Sequence, residues 1–130
     1  MSDPLSDIPF LRMLGMRLVS AHDGVAEVAL QGAPEHENSL GMVHGGVVMT
    51  LLDVAMARAA RAAGPHTDAG TVVTVEMKTN FFRPASGYLR ARGRLLHRSA
   101  TLAYCEAELL DAKQHLVAKA LGTFKYLPRR

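Results

Sequence analysis

Between Gly45 and Ala57 the chain runs GGVVMTLLDVAMA, and Asp53 is the only ionisable residue in that stretch. Val48, Leu51, Leu52, Ala55, Ala59 and Ala62 recur at helical spacing, which predicts a helix from Gly45 to about Ala63, stopped by Gly64-Pro65. Its many alanines would let other backbones approach closely. Three and four positions from Asp53 stand Met49, Thr50, Met56 and Ala57, none of them a cation. A carboxylate in apolar surroundings loses hydration worth several kcal/mol or is pushed toward its neutral form. Asp53 therefore requires a partner or a task from outside its own helix.

Around this helix the pattern is one of strands. Residues 4–13 read as a short helix or turn, apolar at Leu5, Ile8 and Leu11, and interrupted at Gly15. Residues 16–21 and 25–31 flank His22-Asp23-Gly24, a hairpin signal, with Ala26, Val28 and Leu30 on one row. Residues 32–43 read as loop. After the helix the period changes to two. Thr71–Phe82 places Val73, Val75, Met77, Thr79 and Phe81 on one side, and 88–98 sets Leu89, Ala91, Gly93 and Leu95 against Arg90, Arg92, Arg94 and Arg98. Arg98-Ser99-Ala100 turns into 101–110, and 116–126 aligns Leu116, Ala118, Ala120, Gly122, Phe124 and Tyr126. One long helix followed by a run of strands is an α+β pattern: an antiparallel sheet of five to six strands wrapping a central helix. It lacks the strand–helix alternation of a dinucleotide-binding fold.

A chain of 130 residues, 48% hydrophobic and 21% charged, is expected to be one folded domain over 1–130. No apolar run nears the roughly 20 residues of a membrane span. The acidic start MSDPLSDIPFLRML lacks a basic leader, and the single Cys105 forms no internal disulfide; both favour the cytoplasm. The net charge of +3 comes without Trp or a clustered Lys/Arg run. That fits a phosphate-bearing small molecule at least as well as a polynucleotide, and no nucleic-acid partner is expected. His22, His36, His66, His97 and His115 have no metal-ligand spacing, so no metal is expected.

Asn38-x-x-Gly41-x-x-His44-Gly45-Gly46, an Asp seven residues later, and Asn80-Phe81-Phe82-Arg83-Pro84-Ala85 together resemble the hotdog-fold acyl-CoA thioesterases. The likeness is to their phenylacetate-pathway (PaaI-type) branch and covers roughly residues 10–127. The resemblance implies a hotdog fold and hydrolysis of acyl-CoA to acid and CoA, with no cofactor beyond the CoA of the substrate. It implies Asp53 as the catalytic carboxylate, the Gly46 N–H as donor to the thioester carbonyl, Asn38 positioning carbonyl or water, and His44 shaping the loop. It also implies a homo-oligomer, at least a dimer and by family habit a tetramer, with Asp53 and the loop on opposite subunits. Thr74 falls where a related branch has a Ser that helps hold the water. A further branch carries a Thr one turn after the carboxylate, but here that position is Ala57.

The chemistry suits these residue types. A helix N-terminus offers unpaired N–H groups and partial positive charge for an oxyanion, and Gly45 and Gly46 let a substrate approach the backbone. Each residue also has a simpler reading: Asn38 as a turn residue, Thr74 as a strand threonine, His44-Gly45-Gly46 as a helix start. The arginine row reads best as pairing with Glu106 and Glu108, leaving Arg83 as the candidate nucleotide contact. Met42, Met49 and Met56 share one helical side. Packing explains them, and an acyl pocket would present the same pattern, which keeps Met49 as a candidate substrate contact. Competing functions are an acyl-CoA-binding regulator without turnover and an acyl-thioester hydratase or dehydratase. A serine esterase is excluded by the absence of GxSxG.

Overall fold

The structure is a computed structural model that describes residues 5–63 and 71–128. A 3₁₀ turn at Leu5–Asp7 leads into α1 (Pro9–Leu14), then β1 (Arg17–His22) and β2 (Val25–Gln31). A second 3₁₀ turn, Pro34–His36, precedes α2 (Gly45–Ala62); β3 (Thr71–Phe81), β4 (Tyr88–Arg98), β5 (Leu102–Leu110) and β6 (Leu116–Leu127) follow. The strands form one six-stranded sheet in the order β1-β2-β4-β5-β6-β3, every neighbouring pair antiparallel. This is the hotdog architecture. The Gly64-Pro65 helix stop lies outside the described residues, and no helix among them is long and apolar enough to cross a membrane.

Local chemistry sets these elements. Asp23 and Gly24 both take positive φ, 52° and 78°, giving the two-residue turn that matches strand twist between β1 and β2. The alanine-rich helix lies on a sheet face built of small residues, including Ala91, Ala103, Cys105, Ala107, Ala118 and Ala120, all buried. The closest approach is at Gly93. A Cβ there would overlap the Ala55 carbonyl and stand 2.8 Å from the Met56 nitrogen. At the far end of α2, Tyr126 donates its hydroxyl to Ala60 O at 2.7 Å, and Arg98 donates to Ala63 O at 2.9 Å while lying over the Tyr126 ring. The last helical carbonyls thereby gain partners.

Four register shifts break the strict alternation expected from the sequence, and the one opposite Leu109 and Leu110 makes Val117 an extra, buried residue of β6 and turns Leu116 away from the face of Ala118. In β3 the register slips between Thr74 and Glu76, so Val75 is an extra residue. Val72, Thr74, Met77 and Thr79 thus oppose the inward residues of β6, whereas Val73 and Val75 are exposed rather than sharing a side with Met77. In β4 the slip between Leu95 and His97 turns Arg98 inward, away from the arginine row. The row pairs only in part: Arg94 bonds Glu106 and holds its carboxyl below the usual range, Arg92 stands opposite Glu108 in register while Lys119 makes that carboxylate's ion pair, and Arg90 reaches Glu27 and Gln114 instead. Leu5 and Leu11 are buried as expected, while Ile8, the residue before α1, is exposed. The methionines also separate. Met42 precedes the helix, Met56 is fully buried beneath Gly122, and Met49 is exposed.

Two outcomes follow from this packing. Gly93→Ala is expected to lower unfolding free energy by about 3 kcal/mol, because backbone rather than a flexible side chain must move; urea unfolding measures it. Burial pushes the Cys105 thiol up to about 12. A disulfide reagent at neutral pH should therefore titrate no thiol in the native protein and one after denaturation.

Candidate active site

The N-terminus of α2 is capped by a histidine. His44 has extended backbone and accepts the Gly46 N–H on its own Nδ1 at 2.8 Å. An acceptor at Nδ1 requires the ring proton on Nε2. Its carbonyl takes the Val47 and Val48 N–H groups at 2.9 and 3.2 Å. The Gly46 amide expected to meet the substrate is therefore already committed to a side chain. The Gly45 amide is the vacant one: among the described residues it donates to no protein acceptor. A Cβ on Gly45 would stand 3.6 Å from the Phe81 ring, so this amide borders the end of β3.

Asn38 fulfils its turn role and keeps a donor in reserve. Its Oδ1 accepts from Leu40 N at 2.8 Å and Met42 N at 3.1 Å, and its own N–H donates to Met42 O at 2.7 Å. Two N–H donors converging on one side-chain atom identify that atom as the oxygen, and the amide NH₂ has no partner among the described residues. A cavity of about 350 Å³ is lined by Asn38, Gly45, Phe81, Phe82 and Arg83, among others. Arg83 is exposed, and its guanidinium has no acidic partner among the described residues. Among those residues, no group of three His, Cys, Asp or Glu is placed to hold a metal ion.

The other predicted residues lie elsewhere on the same helix. Gly46, Met49, Asp53 and Ala57 form the stripe of α2 that the sheet leaves partly open. Asp53 is half-buried rather than enclosed, and the partner its helix lacks comes from β3: Thr74 Oγ1 donates to Asp53 Oδ1 at 2.6 Å. The bulge at Val75 keeps Thr74 inward alongside Met77. Thr74, which the sequence offers both as a strand threonine and as a residue helping to hold the water, is the hydrogen-bond partner of the carboxylate. Asp53 Oδ2 is left without a protein donor among the described residues.

A single chain does not bring the two sets together. Eight residue steps of helix separate Gly45 from Asp53, about 12 Å along the axis. Asp53, Thr74 and Met49 do not line the cavity that holds Asn38, Gly45 and Arg83. Beside Thr74, β3 is an edge strand with exposed Val73 and Val75, and Phe81 and Phe82 are exposed at its end. An apolar, unpaired sheet edge is a template for pairing with another chain.

Comparison with known proteins identifies the family. A model of the thioesterase superfamily matches residues 40–118. A Halobacterium salinarum protein, named provisionally as an esterase, is 30% identical over 93% of this chain and 86% of its own length. Conserved protein PA5202 from Pseudomonas aeruginosa superposes with a TM-score of 0.84 at 36% identity, covering 91% of this chain and 93% of that one. A mutant of the phenylacetic acid degradation protein PaaI from Thermus thermophilus superposes with a TM-score of 0.81 at 29% identity, covering 92% and 99%. The match spans the cap, the helix and the strands that build the site, and so the chain belongs to the thioesterase superfamily as a hotdog-fold thioester hydrolase of the PaaI type.

Proposed function

We propose that the chain hydrolyses an acyl-CoA thioester to free acid and CoA, at a site completed by two subunits. The observation that carries this reading is the Thr74–Asp53 hydrogen bond on the open stripe of α2, set apart from the vacant Gly45 amide. The carboxylate and the donor serve one carbonyl only when a second copy supplies the missing half. The exposed β3 edge supports such a dimer, and a tetramer of two dimers follows from the family likeness.

In this mechanism the thioester carbonyl sits at the Gly45 N–H, with the Asn38 amide as a second donor. Both strengthen as negative charge grows on the oxygen. Gly46, whose N–H is held by His44, supports the cap instead. Asp53 of the facing subunit, held at Oδ1 by Thr74, uses Oδ2 to take a proton from water or to attack the carbonyl itself. Thiolate leaves without a strong acid. Arg83 meets the anionic part of CoA near the cavity, and Met49 borders the acyl group from the open helix stripe. The acyl group is aryl or medium-chain. Its aryl form is favoured by the two phenylalanines of the cavity and by the phenylacetic acid degradation role in the name of the Thermus relative.

Thiol release from a panel of aryl-, short- and medium-chain acyl-CoA tests the reading. Wild type is expected to turn over at least one member. Asp53→Asn should lose about 10²- to 10⁴-fold in kcat. Thr74→Val should lose about tenfold, the worth of one hydrogen bond to a charged group. Inert wild type on the whole panel would refute the activity; an undiminished Asp53→Asn would refute the mechanism.

A further inference from the structure

Resting on the shared-site reading above, we propose that His36 is a positioning residue. Its ring ties the loop that carries Asn38 and leads into Gly45 to the end of α1, and so fixes where the two carbonyl donors stand.

His36 is only 5% exposed, and both ring nitrogens are used in opposite senses. Nδ1 accepts the Ala33 N–H at 3.0 Å, and Nε2 donates to Leu14 O at 2.7 Å. One acceptor and one donor define a neutral ring in a single tautomer. Leu14 is the last residue of α1, so the ring satisfies one of that helix's terminal carbonyls across 22 residues of sequence. The backbone of His36 works in the other direction. Its carbonyl accepts the His44 N–H at 2.7 Å, directly before Gly45, and its N–H closes on Ala33 O at 2.9 Å. Between these anchors Glu37 bridges Val43, and Asn38 organises Leu40 and Met42. One buried residue therefore links α1, the end of β2 and the cap of α2. An apolar side chain would fill the space without the cost of burying two polar atoms, so the ring's value lies in the fixed geometry it imposes.

Such a link acts on the reaction through Gly45 and Asn38. A misplacement of donors by about 1 Å can cost about 10²-fold. Because these donors act on charge that develops in the transition state, the loss falls on kcat rather than KM.

Two substitutions separate the two ring contacts. Gln carries an N–H to the place of the imidazole Nε2, whereas Asn reproduces only the acceptor at Nδ1. His36→Asn is expected to lower kcat about 10- to 100-fold with KM within about threefold, and His36→Gln to stay within about threefold of wild type in kcat. Hydrogen exchange at the amides of Leu40, Met42 and His44 should quicken in the Asn variant and not in the Gln variant. The proposal is overturned if His36→Asn keeps wild-type kcat, or if His36→Gln is as impaired as His36→Asn. If wild type hydrolyses no thioester, the functional reading fails on its own. Exchange then decides for His36: unchanged rates in His36→Asn would overturn the link.

Discussion

The backbone of α2 rests on Gly93, and the placement of the helix against the sheet depends on that contact. Without a side chain at this point the Ala55–Met56 peptide comes down onto β4, and alanines on both surfaces let the rest of the helix follow. Packing of this density leaves little freedom in the height or rotation of the helix. Rotation decides which residues face the sheet and which remain open. Val48, Leu51, Leu52, Ala55 and Met56 are enclosed, and the stripe through Met49 and Asp53 is left over. The same placement fixes the helix N-terminus at the ends of β3 and β6, where the vacant Gly45 amide meets Phe81 and the cavity.

Two local devices adapt this frame to a site. The bulge at Val75 keeps Thr74 turned inward, so that an edge strand reaches the one carboxylate of the helix. The His44 cap engages the Gly46 amide and leaves its neighbour free. Strand irregularities and helix termini recur in this role because each supplies a directional group without a new element. The ion pairs of the outer sheet face, such as Arg94 with Glu106, lie apart from this chemistry and organise the strands across that face.

Much of this is legible in the sequence, for identifiable reasons. The helix from Gly45 is announced by periodicity, the hairpin by Asp23-Gly24, and the anomaly of Asp53 by the absence of any cation within one turn. What escapes is whatever depends on a single residue of register. An alternating pattern contains no mark of where one strand gains a residue, so Val73 and Val75 read as partners of Met77 and Arg98 as part of the arginine row. The choice between Gly45 and Gly46 depends on a rotamer of His44, which no spacing encodes. Thr74 is within reach of sequence reasoning: a carboxylate lacking a partner in its helix needs a donor from a strand, and a hydroxyl on the next strand is a natural supplier. His36 gives no signal, because its importance arises from contacts 22 residues away.

In the proposed site one carbonyl is served by the Gly45 amide of one subunit and the Asp53 carboxylate of another. Mixed oligomers test it most directly. Gly45→Pro removes only the N–H, at a first helical position that tolerates proline, and Asp53→Asn removes only the carboxylate. Each variant alone should be nearly inactive. Co-expressed with separable tags, the mixed species pairs the intact Asp53 of one chain with the intact Gly45 of the other. Purified mixed dimers should recover about half of wild-type turnover, one working site in two. Mixed dimers as inactive as either parent would contradict the shared site.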